Sequence, residues 1–103
     1  MIRRENHPRR RGQVIAQQAS ETTILLSLEN GQYYTLNEVG GRVWALCDGS
    51  RRVADMVAII QQDYEAPAEI IEADILELLE ELIRAQLVVD GSHETTGGTE
   101  APA

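Results

Sequence analysis

Through the first third of the chain apolar residues alternate with polar ones, and from residue 38 onward they recur at helical spacing, so the pattern divides into a sheet half and a helix half. Val14, Ile15 and Ala16 mark a first strand over 13–19, and Ser20-Glu21 supplies a turn. A second strand over 22–29 carries Ile24, Leu26 and Leu28 at period two on one face. Asn30-Gly31 then predicts a two-residue type I′ turn, which needs positive φ at both central residues. Pairing across that turn sets Leu28 opposite Tyr33 and Leu26 opposite Thr35. Tyr33 thereby joins the apolar face, and Tyr34 lies with Leu25 and Ser27. The third strand, 32–36, is left at a sheet edge with unpaired backbone groups.

Asn37 is placed to cap the first helix, 38–48, in which Val39, Val43, Leu46 and Cys47 form one stripe, Trp44 lies on its flank as a structural residue, and Gly49 stands at the C′ position. Gly40-Gly41 inside it costs about 1 kcal/mol per glycine relative to alanine, so close backbone packing against a neighbour is expected there. A second helix over 53–64 aligns Val53, Val57, Ile60 and Tyr64, with Ser50 before it as a cap. Pro67 suits the first turn of a third helix running to about 86, and Leu87, Val88 and Val89 form an extended wing after it. In that third helix Ile71, Ile75, Leu78 and Leu82 make a compact core stripe, while Leu76, Leu79 and Ile83 carry the apolar surface further round. Periodicity leaves two readings of this second stripe: a helix wrapped deeply in its own core, or a groove bordered by Glu72 and Glu80 that a partner fills. The fold class is α+β, a three-stranded antiparallel sheet followed by three helices.

Length and charge narrow the function. The 103 residues hold one small domain, expected over 13–90 between a flexible basic tail at 1–12 and a Gly/Thr/Pro-rich tail at 91–103. The net charge of −8 repels a phosphate backbone, because Arg3, Arg4, Arg9, Arg10 and Arg11 are all confined to the first tail. The single Cys47, buried as a small hydrophobe, excludes an internal disulfide and points to the reducing cytoplasm. No apolar run is long enough for a membrane helix or a signal peptide. His7 and His93 fall in the tails, and no histidine, Cys-x-x-Cys or glycine-rich phosphate loop lies in the folded region, so no catalytic residue, metal or cofactor is expected. Asp74, Glu77, Glu80 and Glu81 read as a solvated outer face. What remains is an open sheet edge beside a helix with surplus apolar surface, the geometry of a module that binds an extended peptide.

The residues that carry this geometry resemble a known family. Tyr-Tyr-Thr-Leu-Asn-Glu-Val-Gly-Gly-Arg-Val-Trp at 33–44, Cys-Asp-Gly at 47–49 and Ala-Asp-Ile-Leu-Glu-Leu-Leu-Glu-Glu-Leu at 73–82 are similar to the PqqD-like proteins, the recognition elements (RREs) for precursors of ribosomally made, modified peptides. The resemblance spans 13–90 and is greatest to the standalone lasso-peptide (B1) members. It implies a winged helix-turn-helix-like fold, with a precursor leader added as a strand along Gln32, Tyr33, Tyr34, Thr35 and Leu36 and lying against Glu72, Leu76, Leu79, Glu80 and Ile83 of the third helix. It also implies hand-over of the leader to a B2-type cysteine protease and a cyclase. Three rival readings are a winged-helix DNA-binding regulator, a peptide chaperone of pyrroloquinoline quinone (PQQ) biosynthesis, and a structural subunit of an enzyme complex. The resemblance departs from the family at Arg84-Ala85-Gln86-Leu87, where relatives often have glycine before the leucine.

Overall fold

The computed structural model describes residues 2–91. Its elements run β1 (Arg9–Arg10), β2 (Val14–Ala19), β3 (Thr22–Ser27), β4 (Tyr33–Leu36), α1 (Glu38–Leu46), α2 (Val53–Gln61), α3 (Ala68–Arg84) and β5 (Val88–Val89). The expected meander of β2, β3 and β4 followed by three helices is present, and β1 with β5 adds a second, two-stranded sheet. Each helix is shorter than its apolar period suggests, ending at Leu46, Gln61 and Arg84. The tail from residue 92 onward, with His93, lies outside the described residues.

The hairpin register differs from the one predicted. Leu26 faces Tyr33 and Ile24 faces Thr35, a slip of two residues that keeps the parity of every side chain. The loop is accordingly 28–31, closed by the Ser27 N–H donating to the Gln32 carbonyl at 3.0 Å. Asn30 does not enter the left-handed region. Its side-chain oxygen instead accepts the Gln32 N–H at 2.9 Å, leaving Gly31 at φ +73° to carry the turn. A two-residue type I′ turn is thereby excluded.

The buried face of the sheet is also the opposite of the one expected. Thr23, Leu25 and Ser27 are buried, whereas Ile24 and Leu26 are half-exposed and Leu28 and Tyr33 point to solvent. Helix packing decides this: α1 lies so close to β3 that a Cβ on Gly41 would overlap the Thr23 hydroxyl, and one on Gly40 would press on Leu36 at 3.1 Å. The two helix glycines therefore have the close-approach role their energetic cost implied. Around them Leu25, Val43, Cys47, Val53, Met56, Ile60, Ile75 and Leu79 form the core. Burial pushes the Cys47 thiol up to about 12, and its Sγ donates to the Val43 carbonyl at 3.2 Å, so this cysteine is an inert core residue.

Capping follows local chemistry. The Asn37 side chain accepts the Gly40 N–H at 2.8 Å, as predicted. Before α2 the N-cap is Arg52 and not Ser50. The Asp55 carboxylate accepts the Arg52 backbone N–H at 3.0 Å and is held down to about 2 chiefly by the Arg52 guanidinium, while Ser50 donates to Asp48. The third helix closes in a Schellman motif: the Gln86 N–H reaches Ile83, the Leu87 N–H reaches Leu82, and Gln86 sits at φ 64°, a left-handed position that favours glycine. Gln86→Gly should therefore raise stability by about 0.5–1 kcal/mol, the relief of left-handed strain exceeding the added chain entropy. Thermal melting checks this, and a lower midpoint would contradict it.

The N-terminal segment is not a free tail. Ile2 and Pro8 are buried, Arg9 and Arg10 pair with Val89 and Val88, and the Val53 and Ala54 N–H groups at the start of α2 donate to the Asn6 and Arg4 carbonyls at 3.0 Å. Arg10 crosses to α1, donating from Nη1 to the Trp44 and Ala45 carbonyls at 3.0 and 2.9 Å with its guanidinium 6.0 Å from the Trp44 ring. The segment supplies donors and acceptors that helix ends lack, and local sequence pattern carries no trace of such distant pairings.

Candidate functional site

Where β4 runs into α1, the edge of the sheet faces α3 across a groove of about 500 Å³. Thr35, Leu36 and Asn37 form one wall, with Val39, Gly40 and Val43 of α1 behind them. Ile70, Ile71, Asp74, Ile75, Glu77, Leu78 and Glu81 of α3 form the other, and Tyr64 and Ala66 close the end nearest the start of that helix. The floor is apolar and the α3 rim is acidic.

The backbone of β4 supplies the directional chemistry. Because Gln32 and Ser27 form a hydrogen-bonded pair, antiparallel alternation assigns Tyr34 and Leu36 to the ladder with β3. The N–H and C=O of Tyr33 and Thr35 therefore point away from β3, and among the described residues no strand pairs with β4 on that side. An edge strand with free groups, opening onto an apolar trough, matches an extended chain. At the Tyr64 end, Arg42 is committed to Asp63, which holds its guanidinium above its ordinary value, and lies 5.9 Å over the Tyr64 ring.

Of the residues expected to bind, Thr35 and Leu36 line the groove. Tyr34 is half-buried and donates its hydroxyl to the Gln32 side chain at 2.9 Å, and Tyr33 is 71% exposed on the outer sheet face. The α3 assignments need correction. Leu79 is fully buried in the core and cannot touch a ligand. Leu76 and Ile83 are half-buried on the opposite flank of α3 from the groove, and that flank already has an occupant in the chain's own N-terminal segment. Glu80 accepts the Ile2 N–H at 2.9 Å, and Glu72 pairs with Arg4 at 3.6 Å. A stripe bordered by Glu72 and Glu80 is indeed filled, but from within.

The groove flank instead carries Ile70, Leu78 and three carboxylates expected on a solvated face, Asp74, Glu77 and Glu81. Leu78 falls in the predicted core stripe, and Ile70 in neither apolar stripe. A helical wheel places Leu78 beside that row; what it lacks is the direction of the sheet edge.

Comparison with known proteins gives a consistent result. The family model for coenzyme PQQ synthesis protein D (PqqD) matches residues 22–88. No curated protein matches the chain. Among solved structures, TbiB1 in complex with the TbiA(beta) leader peptide is 26% identical with a TM-score of 0.72, covering 78% of this chain and 93% of that one. The PqqD portion of Methylobacterium extorquens PqqCD, described as a stand-alone RiPP recognition element, is 27% identical with a TM-score of 0.74, covering 86% and 95%. A lasso peptide synthetase B1 complexed with its leader peptide shares the fold at 22% identity and a TM-score of 0.72, covering 81% and 98%.

Proposed function

The chain belongs to the PqqD family, and from that premise we propose that it is a leader-recognition protein without catalytic activity of its own. It takes the leader of a ribosomally made precursor as a further strand on β4, over the groove against α3, and presents it to maturation enzymes of the lasso type, a cysteine leader peptidase and a cyclase. The observation that carries this reading is the open edge at Tyr33 and Thr35 facing an apolar groove. The leader complexes of TbiB1 and of the lasso synthetase B1 support it. The groove offers carboxylates and a tyrosine but no histidine or exposed thiol for covalent or acid–base work. The name of the family model favours a second reading, a PQQ-type precursor chaperone, which uses the same groove for a different leader. A DNA-binding role is disfavoured, since α3 would carry its acidic row toward phosphates.

Proline scanning tests the strand. Thr35→Pro removes an outward N–H and leaves the β3 ladder intact, whereas Tyr34→Pro breaks that ladder. We expect Thr35→Pro to fold and to bind the leader of the precursor encoded beside it about tenfold or more weakly, because a leader carbonyl loses its donor. Tyr34→Pro should fail to fold. Calorimetry showing Thr35→Pro at wild-type affinity would rule out strand addition at this edge.

A further inference from the structure

The charge around the groove deepens the peptide-binding reading, on which this inference rests. Asp74, Glu77 and Glu81 recur at i, i+3 and i+7, so they stand in one row along the α3 wall. Among the described residues none of the three carboxylates has an ion-pair or hydrogen-bond partner, whereas Glu29, Asp48, Asp55, Asp63 and Glu72 each hold an arginine. The chain has nine arginines and no lysine, and Arg42, at the Tyr64 end of the groove, is committed to Asp63. The wall therefore presents negative charge that the described part of the protein does not answer.

Strand geometry says which side chains would answer it. In a chain added to β4, alternate residues share the face of Tyr34 and Leu36 and project over the floor, while the rest share the face of Tyr33 and project outward. A floor-facing aliphatic side chain meets Leu36, Ile71 and Leu78. A floor-facing lysine or arginine can lay its methylene stem on the same surface and end its charge at the rim. An acidic side chain there would face three carboxylates.

We propose that the groove selects a basic amphipathic segment, an extended stretch whose floor-facing positions alternate between apolar anchors and lysine or arginine ending at Asp74, Glu77 and Glu81. Recognition then reads charge as well as strand. It discriminates among leaders of similar apolar pattern by the sign of a side chain at the rim, since a like charge in that position is repelled and an opposite one attracted.

The test uses the leader of the precursor encoded beside the chain, synthesised in its own sequence and with every lysine and arginine replaced by glutamine. Each is titrated calorimetrically into the wild type and into the triple variant Asp74→Asn/Glu77→Gln/Glu81→Gln, with circular dichroism confirming the fold. The natural leader should bind the triple variant about tenfold more weakly than the wild type, as several exposed pairs of modest individual strength are lost together. Raising salt from about 50 to about 500 mM should weaken the wild-type complex and leave the triple variant nearly unchanged. The glutamine leader should bind both proteins alike. Equal binding of the natural leader to both proteins, or a natural leader that binds while lacking lysine and arginine, overturns the charge reading and leaves strand addition standing. Failure of both leaders to bind folded wild type overturns strand addition and the charge reading with it.

Discussion

Leu79→Asp is expected to unfold the domain. The side chain is fully buried among Ile75, Leu82 and the rest of the core. Removing it forfeits roughly 2–5 kcal/mol, and an unpaired carboxylate left in that environment costs several more. A domain of this size has about 5–10 kcal/mol in total. The far-ultraviolet signal should therefore lose its cooperative melt. Leu78→Asp, one residue away but half-buried on the groove wall, should have the opposite signature. Its carboxylate can reach water, so the fold persists, while the leader loses an apolar contact of roughly 1.5–3 kcal/mol and finds a fourth negative charge. We expect leader affinity to fall on the order of a hundredfold. A native melt for Leu79→Asp with binding alone lost would restore the second stripe of α3 as the site and contradict the placement argued above.

The other large effect is expected at Arg10, in a stretch whose composition reads as a tail. No basic residue stands in the last turn of α1, so its terminal carbonyls and dipole are answered from outside by this guanidinium. Hydrogen bonds to a charged donor contribute about 1.5–3 kcal/mol, with a smaller addition from the face of Trp44. Arg10→Ala should lower stability by about 2–3 kcal/mol and the melting midpoint by roughly 10 °C or more. Arg3→Ala, whose side chain is exposed, should stay within about 0.5 kcal/mol of wild type. If the two arginine variants melt together, the N-terminal segment does not hold α1 in solution.

Much of the architecture is legible in local chemistry. The order of strands and helices follows from the change of apolar period at Asn37, the cap of α1 from the Asn37 side chain, and the close approach of α1 to β3 from two glycines too costly to stand there otherwise. Even the slipped hairpin kept its face parity, because a slip of two restores the alternation. The open edge at β4 was equally readable, since a meander must end in an unpaired strand. Three decisions belong to the tertiary structure. Periodicity favours the face of β3 with Ile24, Leu26 and Leu28 over the one with Thr23, Leu25 and Ser27, yet the helices bury the second, because α1 packs against it at Gly41. Periodicity also fixes angles around α3 without fixing which direction the sheet edge lies. The flank of Asp74, Leu78 and Glu81 became the groove wall and the flank of Leu76 and Ile83 did not. Finally, the arginine-rich start of the chain has no period of its own. Its order comes from contacts with residues such as Glu72, Glu80 and Trp44, far away in sequence, whose free carbonyls and carboxylates exist as partners only once the helices are in place.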